Sequence, residues 1–422
     1  MADKAAPVRY NAAIMTEAID LKPSELRSRD TKIIGLIGAA HLVSHYYILL
    51  LPPLFAFVRA DFSVSYTEIG LALTAFNVTS ATLQTPAGFL VDRVGARTVL
   101  VAGLLLGGLA IALASIVSSF WVFVLMFALA GVANTVYHPA DYAILSHAVS
   151  AERMPSAFSV HTFMGMLGSA IAPATLLVLQ HQIGWRGAFM VAAIVAVLVA
   201  AALMIPAAET FTPAILAPKP KKTQTDAEPS WRILLSGPII CNLVFFATAS
   251  IANAGVQNYS VVALGVLRDT SPALANVGLT AYLSLAALGV LLGGVVAGRT
   301  HRHDAVAVIG FLIMSIGTVA IGSVDLGALA LIFVMASTGL FYGIVMPSRD
   351  MIVRAVTPPG SFGKVFGFVT TGFNIGGMIS PLIYGWLMDS GNPSAVFVLS
   401  AACGVVTILA IVIGSLWSTR AA

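Results

Sequence analysis

A succession of long apolar runs with few charged residues inside them is the feature that most constrains this chain. Crossing the roughly 30 Å hydrocarbon core of a bilayer takes about 20 helical residues, and each run is that long. Within lipid, backbone N–H and C=O groups find no water to bond, so only helices and closed barrels can span it. Barrel strands need an alternation of polar and apolar residues that the runs lack. The sequence therefore predicts an all-α, polytopic membrane protein.

The apolar runs predict twelve transmembrane helices, which we number as spans 1 to 12. They lie at residues 33–58, 68–91, 98–117, 119–145, 156–181, 186–206, 232–260, 274–299, 305–322, 326–353, 362–388 and 393–417. A stretch rich in proline and lysine separates the sixth span from the seventh, as expected of a solvated linker. The predicted organisation is a tail at 1–31, a six-helix bundle at 32–206, a linker at 207–231 and a second six-helix bundle at 232–418.

Positive charge is distributed very unevenly between the two ends of the predicted spans. If the N-terminus is cytoplasmic, 19 of the 22 Lys and Arg residues lie on the cytoplasmic side. Because Lys and Arg are retained on that side during insertion, the bias predicts that both chain ends are cytoplasmic. We therefore expect a multi-pass protein of the bacterial inner membrane. Membrane orientation also explains the net charge of +4 without a nucleic-acid partner.

The two halves of the chain repeat each other. At an offset of 208 residues the matching pairs are Gly131 and Gly339, Pro139 and Pro347, Ile144 and Ile352, Phe158 and Phe366, Gly168 and Gly376, and Pro173 and Pro381. Two pseudo-symmetric six-helix bundles that face each other are typical of transporters, in which a central site near the midplane is exposed alternately to either side.

A charged, glycine-containing segment connects spans 2 and 3, namely Gly88-Phe-Leu-Val-Asp92-Arg93-Val-Gly95-Ala-Arg97. It resembles the signature that follows the second helix in the major facilitator superfamily, where it forms a latch on the inner face. Glycine suits the tight turn, and an aspartate can meet a helix N-terminus or a basic residue. The second copy keeps Arg299 but has Gly298 where the aspartate would stand. We therefore expect these motif residues and Arg299 to act in gating.

Short stretches of the first half resemble one branch of that superfamily, the fosmidomycin-resistance type. They are His41-Leu, Leu51-Pro-Pro-Leu54, Phe62-Ser, Ile69-Gly70, Leu83-Gln84-Thr-Pro86-Ala-Gly88 and Tyr137-His138-Pro139. Members of that branch include exporters of small antibiotics, so the resemblance implies an organic solute. In antiporters of the superfamily, the fifth helix has a Gly-Pro followed by paired glycines, and span 5 keeps only Gly165, Gly168, Ala172 and Pro173 of this pattern. Span 4 also lacks the buried arginine that is common in proton-coupled members. The resemblance therefore does not imply antiport.

Four titratable residues, His41, His138, Asp141 and His161, fall at one depth of the predicted first bundle, and His45 lies one turn from His41 on the same helix face. All five are candidates for proton coupling. Histidine titrates near physiological pH, so such a cluster can link solute movement to a proton gradient. The alternative is a hydrogen-bonded packing network in which Asp141 pairs with Arg93 or Arg97 as a gate, and for Asp141 the gate is favoured. Asp350 beside Arg349 is interpreted as a gate of the second half.

Polar and aromatic residues inside the spans are candidates for contact with the solute: His41, His45, Tyr46, Asn134, Tyr137, His138, Asn253, Gln257, Asn258 and Tyr342. They suit a neutral or planar hydrogen-bonding solute, such as a vitamin-like or nucleoside-like heterocycle. The alternative is that they only bond one helix to another. Small and kinking residues at Gly165, Gly168, Pro173, Gly376 and Pro381 are interpreted as close-packing positions or as hinges.

The predicted function is secondary-active, proton-coupled uptake of a small polar organic solute by a protein that works as a monomer. One alternative is efflux of a drug or toxic metabolite, and another is a non-transporting sensor or assembly factor on the same fold. An enzyme is not expected, because the sequence has no phosphate-binding glycine loop, nucleophile elbow or HExxH motif. No cofactor and no metal site are expected, since the His41 and His45 pair alone is a weak ligand set.

Overall fold

The structure is a computed structural model that describes residues 23–205, 231–358 and 362–421. All regular secondary structure in those ranges is helical. Residues 1–22 of the predicted tail and residues 207–230 of the predicted linker at 207–231 lie outside the described residues.

Helices of the first half follow the predicted spans closely. They are α1 (Pro23–Ile48), α2 (Phe55–Phe62), α3 (Tyr66–Val94), α4 (Ala96–Ile116), α5 (Phe120–Asn134), α6 (Tyr137–Ala148) and α7 (Met154–Met204). A 3₁₀ turn at Pro52–Leu54 joins α1 to α2 within the first span. The residues of α7 form two helices, spans 5 and 6, because Gly184 has a φ of 73° and interrupts the helical backbone between them.

The second half begins with a broken helix and continues with five long ones. Its elements are α8 (Gly237–Ala254), a π-helical turn (Gly255–Tyr259), α9 (Ser260–Arg268), α10 (Pro272–Arg299), α11 (His303–Ser323), α12 (Ala328–Ala355), α13 (Phe362–Asp389) and α14 (Pro393–Ala421). By length and composition, ten stretches of the described helices qualify as membrane-spanning, with α7 counted once and the threonine-rich α3 not counted. Including α3 and both parts of α7, the described residues contain twelve helical segments of the kind that crosses a membrane, and the predicted fold class is confirmed.

The first helix begins earlier than predicted. Residues 23–31 were assigned to a loosely ordered tail, but they form the start of α1. Arg29 donates a hydrogen bond to the Ala148 carbonyl at 2.6 Å, and Asp30 accepts one from the Ser150 hydroxyl, also at 2.6 Å. This polar segment is helical because its side chains bond to the end of α6. A tertiary contact of this kind cannot be predicted from hydropathy.

The two halves meet along antiparallel helix pairs, of which α3 with α13 is one and α7 with α10 another. Along the first pair, the Thr74 hydroxyl donates to the Met378 carbonyl at 3.1 Å, and the Asn77 amide donates to the Gly377 carbonyl at 3.0 Å. Small residues permit this proximity: a β-carbon on Gly70 would lie 2.6 Å from the Pro381 carbonyl oxygen.

The molecule is closed at one face and open at the other. At the face where α3 begins, which we call the closed face, the ring of Phe55 lies 5.3 Å from that of Tyr259. The Tyr259 hydroxyl is held by a hydrogen bond within the second half, which it donates to the Pro381 carbonyl at 2.6 Å. At the face where α3 ends, which we call the open face, Leu83 and Gln84 are exposed. A cleft of about 380 Å³ separates α7 from α10, and its lining residues include Phe158, Thr162, Phe163, Val290 and Leu291.

Candidate functional site

Four histidines and one aspartate converge inside the first half. His41 and His45 lie one turn apart on α1, His138 and Asp141 lie one turn apart on α6, and His161 lies on α7. Asp141 Oδ2 is 3.0 Å from His161 Nε2 and 3.3 Å from His41 Nδ1. The structure therefore brings together the five residues that the sequence predicts as candidates for proton coupling.

The imidazole rings form a cluster of contacting rings around His41, in which only the His41 and His161 rings are stacked. The ring centroid of His41 is 3.7 Å from that of His161, 4.6 Å from that of His45 and 5.2 Å from that of His138. His41, Asp141 and His161 are 3%, 0% and 1% exposed, whereas His138 is exposed. The buried carboxylate is thus linked through ring contacts to His138 at the edge of the cluster.

The buried part of this cluster has unused hydrogen-bonding capacity. Asp141 Oδ1, His41 Nδ1 and His161 Nδ1 have no hydrogen-bond partner among the described protein atoms. Buried polar groups are nearly always bonded, because an unpaired one costs about 1 to 3 kcal/mol. Exceptions concentrate where function requires them, and here three adjoining residues share the feature. The arrangement can hold an exchangeable proton.

The ionic partners of Asp141 correct one prediction. Sequence reasoning favoured a gate in which Asp141 pairs with Arg93 or Arg97, but the described contacts of the carboxylate are with His41 and His161. Arg97 donates to the Leu203 and Met204 carbonyls, both at 3.0 Å, and so ties α4 to the end of α7. The predicted pairing is wrong because Asp141 is fully buried beneath the open face, whereas Arg93 is exposed.

The same three buried residues have the composition of a metal site. The ligand atoms of His41, Asp141 and His161 lie within 4.8 Å of one another. However, the His41 and His161 rings are stacked with only 24° between their planes. Nitrogen lone pairs lie in the ring plane, so stacked rings direct them side by side and not toward one point. The geometry favours proton binding over tetrahedral metal coordination.

Other predicted contact residues of the first half bond helix to helix. Asn134 accepts from the Ser44 hydroxyl and donates to Ser80 Oγ, both at 2.9 Å. The Tyr46 hydroxyl lies 2.9 Å from that of Thr175. For Asn134 and Tyr46 these bonds match the interhelical alternative. Tyr137 is buried, and its hydroxyl has no partner among the described residues.

The second half presents amides and phenols in place of histidines. The Asn253 amide donates to Gln257 Oε1 at 3.0 Å, and Asn253 Oδ1 accepts from the Tyr282 hydroxyl at 2.6 Å. The Tyr282 and Tyr342 rings are 6.3 Å apart. Tyr282 was not selected from the sequence, although a tyrosine inside an apolar span is itself a signal. Gln257 and Asn258 fall on the π-helical turn, a distortion frequent at functional sites.

Two predicted gating sites lie at the open face, namely the Arg349 and Asp350 pair of the second half and the latch motif between α3 and α4. Arg349 bonds to its neighbour Asp350 at 2.8 Å and lies over the rings of Phe246 and Phe373, at 4.8 and 5.0 Å. This pair is therefore contained within the second half, and its gating role stays a prediction.

In the latch motif, Gly95 has a φ of 99°, which provides the turn between α3 and α4. Asp92 is exposed there, as is Arg299 at the end of α10, while Gly88 is partly exposed. The latch role of these residues also stays a prediction.

The predicted small-residue positions are sites of close packing. A β-carbon on Gly165 would lie 2.6 Å from His41 Cδ2, and one on Gly168 would meet the Leu42 backbone. On Gly376 it would lie 2.5 Å from Ser250 Cβ. Pro173 and Pro381 lie inside α7 and α13. Nothing in these contacts tests a hinge role.

A double six-helix bundle with a polar interior that opens at one face only defines a secondary transporter. The sequence matches the family model of the Major Facilitator Superfamily over residues 37–267 and 245–421. The chain therefore belongs to the major facilitator superfamily.

The curated names of similar proteins point to different small molecules. The fosmidomycin resistance protein of Escherichia coli K12 is 24% identical over 376 residues, which cover 87% of this chain and 89% of that protein. This similarity supports the resemblance to the fosmidomycin-resistance branch. A probable sulfoacetate transporter, SauU, of Cupriavidus necator is 23% identical over 82% of this chain and 84% of its own length.

Solved structures show the same fold. A bacterial homolog of the human lysosomal transporter Spinster, in an inward-facing and occupied conformation, aligns with a TM-score of 0.72 at 13% identity, covering 94% of this chain and 98% of the other. The nucleoside transporter NupG aligns with a TM-score of 0.72 at 13% identity, covering 91% of this chain and 99% of the other.

Proposed function

We propose that this protein takes up a small polar organic solute by alternating access and couples the movement to protons. The proposal rests on one observation, the buried Asp141 that bonds to His161 and lies beside His41. A buried charge is costly unless it is paired. One proton shared between Asp141 and a neighbouring imidazole makes the group neutral overall, and its release leaves a net negative charge in an apolar surrounding. The free-energy cost of burying the cluster away from water therefore depends on whether the proton is bound.

The proposed proton site, which is the histidine cluster, lies next to the proposed solute site, which is the cleft between α7 and α10. The exposed Tyr142 ring lies 5.3 Å from the His161 ring and 5.3 Å from the Phe158 ring. Phe158 lines the cleft between α7 and α10. A solute that enters this cleft comes near the histidine cluster, so its binding can change the preference of the cluster for a proton.

The proposed cargo is a neutral or planar molecule with several hydrogen-bonding groups, of the vitamin-like or nucleoside-like kind. Asn253, Gln257, Tyr282 and Tyr342 supply amide and phenol groups at the second half, and Tyr342 and Gln257 are partly exposed. Such groups give orientation and specificity through hydrogen bonds, and tyrosine rings add stacking. The nucleoside transporter NupG has a similar fold, which is compatible with a cargo of this class.

We propose that the open face is the cytoplasmic one. Among the described residues, α1 begins at this face, α14 ends there and most of the Lys and Arg residues lie there, and positive charge is retained on the cytoplasmic side. The conformation is then inward-open, in a monomer of the bacterial inner membrane.

The test begins with ligand identification, because a ligand that binds only the folded protein raises its apparent stability. Thermal-shift screening of the purified protein against a metabolite panel supplies the solute for uptake assays in proteoliposomes with and without an inward proton gradient. We expect a gradient to accelerate uptake by the wild type, and Asp141→Asn and His161→Gln to lose that acceleration. The matched control is His147→Gln, an exposed histidine at the end of the same helix as Asp141. Proton coupling would be refuted if the rate of uptake is the same with and without the gradient and is unchanged in Asp141→Asn and His161→Gln.

Efflux is the second candidate, favoured by the names of two relatives. Besides the fosmidomycin resistance protein, the multidrug resistance protein MdtH of Proteus mirabilis is 23% identical over 89% of this chain and 96% of its own length. Deletion of the gene distinguishes the two directions. Loss of an importer slows uptake of the solute or makes the cell depend on another source, whereas loss of an exporter makes the cell sensitive to it.

A further inference from the structure

The N-terminus of α3 is capped by an aspartate from the opposite half of the molecule. Asp389, the last residue of α13, accepts hydrogen bonds from the backbone N–H groups of Tyr66 and Thr67, both at 2.7 Å. Its second oxygen also accepts from the Thr67 hydroxyl at 2.6 Å. Sequence reasoning did not select Asp389, because a single aspartate at the end of a span has no distinguishing pattern.

This cap supplies what the local sequence of α3 leaves unsatisfied. The first N–H groups of a helix have no partner within the helix, and the positive end of the helix dipole attracts a carboxylate. Ser65 bonds the Glu68 N–H, and Glu68 in turn accepts from the Ser65 N–H, which is a complete capping box. The two remaining N–H groups, those of Tyr66 and Thr67, are the ones that Asp389 bonds.

The backbone of α13 reaches the start of α3 only because a glycine lies one turn before the aspartate. A β-carbon on Gly385 would lie 2.6 Å from the Tyr66 carbonyl oxygen and 2.7 Å from Thr67 Cα. These are backbone atoms that cannot rotate away. The cap and the close approach therefore occur together, and both belong to the closed face.

We propose that Asp389 is a gating residue, the latch of the closed face, and that each transport cycle must break its bonds to α3. The inference rests on the proposed alternating-access function, since a latch matters only if this face opens. It differs from the predicted latch at Asp92, which lies at the other end of α3 and is exposed in this conformation.

The two aspartates are placed reciprocally. Because α3 and α13 run antiparallel, each helix ends near the beginning of the other, and each has an aspartate in its last turn. In the conformation described here the Asp389 end is joined. When the halves rock so that this end separates, the Asp92 end approaches the start of α13 at Phe362. The pair then exchanges one capped helix terminus for another, which keeps the difference in free energy between the two conformations small.

A distance measurement that needs no solute tests the proposal. Spin labels at Ser63 and Ser394, exposed residues of opposite halves at the closed face, report its opening by pulsed electron resonance after Cys241 and Cys403 are replaced by serine. We expect Asp389→Asn and Asp389→Ala to raise the ratio of open to closed molecules about tenfold, the change that roughly 1.4 kcal/mol produces. The matched control is Asp325→Asn at the same face, whose side chain is 92% exposed.

A second variant distinguishes the specific loss of the latch from a general loss of folding. Gly385→Ala keeps the carboxylate but obstructs the approach of α13, so we expect it to open the closed face as well. Unchanged distances in both Asp389 variants, or an equal shift in Asp325→Asn, would overturn the proposal. Because the labels report conformation and not uptake, this outcome is independent of the proton-coupling test.

Discussion

Replacing Gly165 with alanine tests whether the histidine cluster depends on a missing β-carbon. The added atom would lie 2.6 Å from His41 Cδ2, 2.7 Å from His41 Nε2 and 2.9 Å from His45 Cδ2, whereas ordinary contacts begin at 3.4 Å. Both rings must move, and His41 is held between His161 and Asp141. Overpacking of this kind typically costs about 1 to 3 kcal/mol. We expect Gly165→Ala to lower the free energy of unfolding by about 2 kcal/mol.

The assay is unfolding in mixed detergent micelles, followed by helical circular dichroism, with Gly35→Ala as the control. Gly35 lies on α1, and a β-carbon there would meet nothing within 4 Å. A double-mutant cycle with His41→Ala identifies the cause, because removal of the ring provides the missing space. We expect a coupling free energy of about 1 to 2 kcal/mol between the two changes.

Two results would refute this reasoning. If Gly165→Ala is as stable as Gly35→Ala, the space around the cluster is not limiting. If the penalty persists unchanged in the His41→Ala background, its cause is not the imidazole contact.

Three further predictions concern the closed face, each measured by the same unfolding assay. Ser65→Ala removes the capping-box oxygen of α3 and is expected to cost about 1 kcal/mol, and a stability equal to the wild type would contradict that role. Arg186→Met removes hydrogen bonds to the Ser115 and Val117 carbonyls, at 3.0 and 2.8 Å, with an expected cost of about 1 to 2 kcal/mol. Gly184→Ala places a side chain at a φ of 73°, which costs about 1 to 2 kcal/mol, and no loss of stability would show that the turn relaxes.

The sequence predicted the fold well because the bilayer imposes strong constraints. Span length, absence of charge and the internal repeat each follow from the lipid environment, and the helices agree with them to within a few residues at most ends. Residues 23–31 differ because the polar start of α1 is stabilised by bonds from Arg29 and Asp30 to the end of α6. A contact of that kind is distant in the sequence and has no periodic signature.

The site was predicted in part. Counting helical rise from the span ends placed His41, His138, Asp141 and His161 at one depth, and the structure has them in contact. Depth alone does not determine which side chains pair, so the expected partner of Asp141 was an arginine. Asp389 was missed for a related reason, since its partners are backbone N–H groups, which every sequence has.

The chemical difference between the halves has a consequence for engineering. The cluster of histidines with Asp141 lies in the first bundle, whereas the candidate cargo contacts of the second bundle are amides and phenols. Under the proposed function, a chimera that joins the first bundle of this chain to the second bundle of a relative with another cargo is expected to take its dependence on the membrane pH gradient from one parent and its choice of solute from the other. Exchange of bundles would thus alter the selectivity of the carrier while its energy source stays the same.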